Sequence, residues 1–298
     1  MNTVAGSIIF YLHAVLEAIA KKLNISAGAR HMLVATFYFA LMNIFIKTVT
    51  HLPVMEIVFF RCGISFLICF AEMKRTGISM RGSNYGLLFI RGAVGTSALY
   101  LYFITITHMS LGTAVIIQYL SPIFTTILAL FILNEKVRPV TWFFFLISFS
   151  GVFVMKGLDT TIDVVFLTIG IASSILSAFA YITIRALKNK EHPMLVVLYF
   201  QLVGAVTGLV FSIPNFEMPH GMDWLYLVLI GIFTQLGQVN LTKSLQQENV
   251  AKVSIINYTG VVYAVAAGFF IFGEQYSSGT LLGMLLVIAG VVLSMFYR

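Results

Sequence analysis

The chain has 298 residues, 59% of them hydrophobic and only 10% charged, with a formal net charge of +7. A soluble domain is typically about 45–50% apolar and about 25% charged, so there is too little polar surface here to meet water. That excludes an ordinary soluble fold and points to a lipid bilayer as the solvent.

Residues 1–29 come first and are the least regular part of the chain. The stretch 4–20 is apolar but short, His13 and Glu17 interrupt it, and it lacks the basic start of a secretory signal peptide. An interfacial amphipathic helix is the preferred reading; an eleventh span, or translation beginning at Met32, are the alternatives.

Ten apolar runs follow, at about 31–50, 53–73, 85–107, 109–133, 138–156, 162–184, 193–213, 223–244, 248–272 and 277–297. Each is near the roughly 20 residues that cross a ~30 Å hydrocarbon core at ~1.5 Å per residue. A transmembrane β-barrel would show short alternating segments instead, and these runs are apolar on all sides. Cys62 and Cys69 lie two turns apart on the second run, too far to bridge and without metal-site spacing, so they read as apolar filling.

If the first run starts inside, 14 of the 18 Lys and Arg residues fall at cytoplasmic ends. Lys47 and Lys156 fall outside, and Arg61 and Arg91 lie within spans. Such an excess marks cytoplasmic loops. It places the protein in the cell (plasma or inner) membrane with both ends of the ten-helix bundle in the cytoplasm, and it reads the basic charge as topology rather than nucleic-acid binding.

The chain also repeats itself. At an offset of 140, Pro53 matches Pro193 and Phe60 matches Phe200; at 139, Gly92 matches Gly231, Tyr119 matches Tyr258, Glu135 matches Glu274 and Gly151 matches Gly290. The expected division is therefore a segment 1–29, a five-helix repeat over 30–157 and a second over 158–298. Five spans per repeat force opposite orientations. Inverted repeats are a recurrent plan of secondary transporters, whose sites lie near the midplane at the repeat interface.

Short motifs sharpen this. Phe60-Arg61 lies in the second span, Arg91-Gly92 in the third and Leu120-Ser121-Pro122 in the fourth, with Asn134-Glu135 and Gly273-Glu274 after the fourth and ninth. In layout and motifs, residues 31–298 resemble the drug/metabolite transporter superfamily of the type with two EamA repeats. The resemblance implies an all-α membrane protein that carries a small organic solute, many such proteins being exporters, and it names no substrate.

Candidate site residues follow from polarity inside the spans. Arg61 sits near the middle of the second span, where a charge costs roughly 2.5–3.5 kcal/mol on the insertion scale. It is either an anchor for a carboxylate or phosphate on the solute, or a structural cation bonded to helix carbonyls or to Glu56. Arg91 is nearer the cytoplasmic end and is expected to snorkel to the headgroups. Gln235, Gln238 and Thr242 share a face of the eighth span, and Gln118, Ser121 and Thr125 share one of the fourth. The glutamines are expected to line a solute path, and the hydroxyls to bond between helices. Tyr119 and Tyr258, beside Gln118 and Asn257, form a repeat-related pair that flanks a central cavity or simply packs. Pro122 removes a helical hydrogen bond and is expected to kink the fourth span. Glu135 and Glu274 lie at span ends, where capping or loop pairing is the expected role.

The expected substrate-binding set is thus Arg61, Gln118, Tyr119, Gln235, Gln238, Asn257 and Tyr258. No cofactor or metal is expected, and the partners are a small-molecule solute and the bilayer. A membrane-embedded enzyme has no visible residues, because the zinc-helix, nucleophile-elbow and paired-aspartate patterns are all missing. A secondary, not ATP-driven, transporter is the preferred function, with a non-transporting receptor or scaffold as the alternative.

Overall fold

The computed structural model describes residues 26–132, 138–158, 162–248 and 256–296. Residues 1–25, with most of the N-terminal segment read above, and the Glu135 turn lie outside the described residues. Among those described the structure is helical throughout: α1 (Ala27–Thr48), α2 (Val54–Thr76), α3 (Tyr85–His108), α4 (Leu111–Gln118), α5 (Ser121–Ile132), α6 (Pro139–Leu158), α7 (Val164–Ala186), α8 (Pro193–Ser212), α9 (Asp223–Gln247), α10 (Thr259–Phe272) and α11 (Ser278–Phe296). Eight spans are long and apolar enough to cross a membrane, and α10 and α11 are shorter apolar helices. With α4 and α5 forming one broken span, the described residues form ten apolar helical spans in two inverted five-helix repeats.

Local chemistry sets the ends. Gly77 and Gly273 stop α2 and α10 in the left-handed conformation, at φ 69° and 63°, which a residue without a Cβ adopts freely. Asp163 caps α7 by accepting from the Val165 N–H, and the His192 ring accepts from Met194 N–H ahead of Pro193 at the start of α8.

The fourth span breaks between Gln118 and Ser121. Pro122 has no N–H, and its ring would collide with the carbonyl four residues back, so α4 stops one turn before it. The ninth span breaks at the repeat-related place without a proline. Ile256 and Asn257 are helical, Tyr258 is a turn, and the helix resumes at Thr259.

The most extensive helix pairings all join one repeat to the other: α1 with α9, α2 with α8, α3 with α7, and α6 with α11. These are what a pseudo-twofold axis between inverted repeats produces. Where α6 meets α11 the helices pack backbone to backbone. A Cβ at Gly151 would lie 2.6 Å from the Gly283 carbonyl oxygen, and one at Gly290 would lie 2.5 Å from that of Phe144. Small residues permit this approach in membranes, where no hydrophobic force drives helices together. The outward faces carry Phe131, Phe153 and Phe270, which are exposed as lipid contact requires.

Candidate functional site

A cavity of about 110 Å³ lies between the repeats, room for several waters at ~10–15 Å³ each. Its walls come from α1, α2, α3, α7, α8 and α9, with the two helix breaks contributing Gln118, Tyr119 and Asn257. The lining divides about evenly between the half of the bundle where α3 and α8 begin and α7 and α9 end, which holds Arg91, Tyr181 and Gln238, and the opposite half, which holds Arg61, Asn43 and Tyr102. Toward the opposite end, Asn43 donates to the Tyr102 hydroxyl at 2.9 Å and forms a ceiling.

Two arginines dominate the chemistry. Arg61 is 1% exposed, and its Nη1 donates to the Cys62 thiol sulfur at 3.3 Å. Its guanidinium stands 5.8 Å from the Phe103 ring centre and 5.6 Å from that of Phe200. Arg91 is 3% exposed, donates from Nη2 to Gln238 Oε1 at 3.4 Å, and stands 4.2 Å from the same Phe200 ring centre. Arg61 Nε and Arg91 Nε and Nη1 are buried without a hydrogen-bond partner. Among the described residues no carboxylate pairs with either guanidinium. The buried Glu56 accepts from the Glu217 backbone N–H at 3.0 Å instead, which removes it as the structural partner of Arg61.

Arg91 therefore does not snorkel to the headgroups. It folds inward because Gly95, one turn on, leaves the space empty: a Cβ there would overlap Arg91 Nη1.

The other sequence-derived candidates divide. Gln118 lines the cavity and is held by α7, donating to Ser177 Oγ at 2.6 Å and accepting from Ser173 Oγ at 2.9 Å. Tyr119, Gln238 and Asn257 line it too, and Asn257 accepts from Thr36 Oγ1 at 3.0 Å. Gln235 lies outside the lining, in a chain in which Gln201 donates to Ser65 at 2.7 Å and Ser65 donates to Gln235 at 2.8 Å. Tyr258 stands behind Tyr119, with ring centres 5.4 Å apart at 70°, and its hydroxyl donates to the Tyr119 carbonyl. Sequence reasoning missed Asn43, Tyr102, Tyr181 and Phe200. A signal did exist for Phe200, which matches Phe60 in the repeat and precedes Gln201, the counterpart of Arg61. Among the described residues no three metal-ligating side chains come together.

A family model for the EamA-like transporter family matches residues 26–157 and again 161–296. The chain belongs to the EamA-like transporter family. It is accordingly a membrane transporter of small molecules, not an enzyme.

This EamA chain is 29% identical over 274 residues to the pseudopaline exporter CntI of Pseudomonas aeruginosa, covering 91% of this chain and 96% of that protein. It is 28% identical over 286 residues to solute carrier family 35 member G1 of Homo sapiens, covering 89% and 78% respectively. A crystal structure with 17% sequence identity superposes with a TM-score of 0.71 over 92% of this chain and 97% of that one, a likeness of fold.

Proposed function

We propose that this EamA transporter moves a small organic anion across the cell or inner membrane by alternating access, with both ends of its bundle in the cytoplasm. The observation that carries the reading is the pair of buried guanidiniums, unmatched by any carboxylate among the described residues, in the cavity between the repeats. Buried charges are ordinarily paired, and here the solute supplies the partner.

Alternating access draws support from the cavity's place at mid-depth between the repeats, where the sites of inverted-repeat carriers lie. With the basic loops taken as cytoplasmic, the other end is closed. At the outer end Lys47 Nζ donates to the Ile106 and Met109 carbonyls at 3.0 and 2.6 Å, and stands 3.6 Å from Glu274. The Glu274 carboxylate in turn accepts the Leu111 N–H at 2.9 Å, so α1, the α3–α4 turn and the α10–α11 turn are fastened together. We read this fastening as the outer closure of the carrier. Export is the direction we adopt, by analogy with the exporter from Pseudomonas aeruginosa.

The test compares metabolites inside and outside cells expressing wild type, Arg61→Ala or an empty vector. An anionic solute displaced outward by wild type but not by Arg61→Ala supports the reading. An equal shift with both proteins reduces Arg61 to a structural part. No shift of any anion in rich medium at matched expression favours a receptor or scaffold instead.

A further inference from the structure

Resting on the cavity as an anion site, we propose that the solute carries two acidic groups on a short apolar spacer, one group for Arg61 and the other for Arg91. The two guanidiniums lie 5.6 and 4.2 Å from the centre of the same Phe200 ring, close enough for one small molecule to touch both. That shared ring offers an apolar surface for the spacer.

Among the described residues neither cation has a counter-charge. The hydrogen-bond partner of Arg61 is a neutral thiol and that of Arg91 a neutral amide. Each also keeps buried N–H groups that donate to nothing, Nε on Arg61 and Nε and Nη1 on Arg91. The remaining polar lining is amide, hydroxyl and phenol, from residues such as Gln118, Asn257 and Tyr181, with no carboxylate among it. Among the described residues no carboxylate in the wall balances the second cation.

Charge balance then selects the solute. Carriage requires the cavity to close, which strips water from whatever it holds and strengthens every electrostatic imbalance inside. A solute with one acidic group leaves one guanidinium uncompensated in the closed state. A solute with two makes the closed complex neutral, and it can engage the spare N–H groups of both arginines.

The experiment follows the thermal unfolding of the detergent-purified full chain during titration with acetate, succinate, glutarate or inorganic phosphate at constant ionic strength. Succinate or glutarate is expected to half-saturate the stabilisation at about tenfold lower concentration than acetate, the increment of a second charge-assisted pair. Arg91→Gln should abolish that advantage while leaving the acetate response in place. Arg91→Lys, which keeps the charge, should retain part of it and controls for folding. Equal responses to acetate and both dicarboxylates in wild type would overturn the proposal, as would a dicarboxylate advantage that survives Arg91→Gln. Phosphate outperforming both dicarboxylates would replace it with a single doubly charged group. If no anion stabilises the protein, the anion reading itself falls, and this inference with it.

Discussion

A guanidinium at mid-span costs roughly 2.5–3.5 kcal/mol on the insertion scale, and this chain buries two whose partners among the described residues are neutral. At Arg61 the charge and the fork geometry separate experimentally. Arg61→Lys is expected to keep part of the transport and Arg61→Gln to lose most of it, measured as solute efflux at matched membrane abundance. Normal efflux from Arg61→Gln would remove the residue from the site. Arg91 is tested through its neighbour. Gly95→Ala adds one methyl group where Arg91 Nη1 now lies, so the side chain must swing away from Phe200 and Gln238. Efflux should fall at least tenfold while the protein still reaches the membrane, since alanine suits a helix better than glycine. Unchanged efflux would mean that the position of Arg91 does not matter. The polarity of a span residue is visible in sequence, but the direction it turns depends on what stands opposite. Gln235 and Gln238 are three residues apart on one face, yet one meets Ser65 and the other meets Arg91.

Among the helices, a run of apolar residues and its turn signals declare a span, and all ten spans were legible that way. What the runs could not declare is where a span breaks. Pro122 announces the break in the fourth span. The break at Tyr258 has no breaker residue of its own and was visible only as the repeat partner of Tyr119. The loops between helices were equally silent, because their partners are remote in sequence. Glu191, in the α7–α8 loop, reaches the start of α3 in the other repeat and accepts from Ser83 N, Ser83 Oγ, Asn84 N and Asn84 Nδ2 at 2.6, 2.9, 2.6 and 3.3 Å. Burial pushes its carboxyl pKa up, but those hydrogen bonds outweigh it and hold the pKa below its ordinary value of 4.5. A depressed carboxyl pKa contributes stability that is present above the ordinary value and lost as pH falls through the folded one. Thermal unfolding of the purified protein should therefore shift downward as the pH drops below 4.5. Glu191→Gln should be less stable at neutral pH and lose less of its stability on acidification. Parallel pH profiles for the two proteins would show that the loop contact contributes nothing.

Across the whole molecule the two repeats are fastened at both ends, but not in the same way. Glu191 with Asn84 at one end has its repeat counterpart in His51 with Asp223 at the other, at offsets of 140 and 139 residues, and the His51–Asp223 pair is 3.1 Å apart. Contacts present at both ends together are compatible with either conformation of a carrier. The Lys47–Glu274 fastening does not repeat residue for residue, because the residue 140 beyond Lys47 is Leu187, which cannot form an ion pair. In the proposed alternating-access cycle it is the contact that has to break when the cavity opens outward. Hydrogen bonds to a charged group contribute roughly 1.5–3 kcal/mol each, so losing Lys47 should move the conformational equilibrium at least tenfold toward the outward-open form. Asn43 lies just under that closure, at the cavity ceiling. Asn43→Cys should react slowly with a membrane-impermeant maleimide applied from outside, and several-fold faster when combined with Lys47→Ala, after subtracting the labelling of the parent chain. Glu274→Gln should act in the same direction, since it removes the charge that Lys47 faces. If labelling is unchanged in both double variants, the outer fastening does not control access, and the closure has to be sought in the apolar packing above Tyr102.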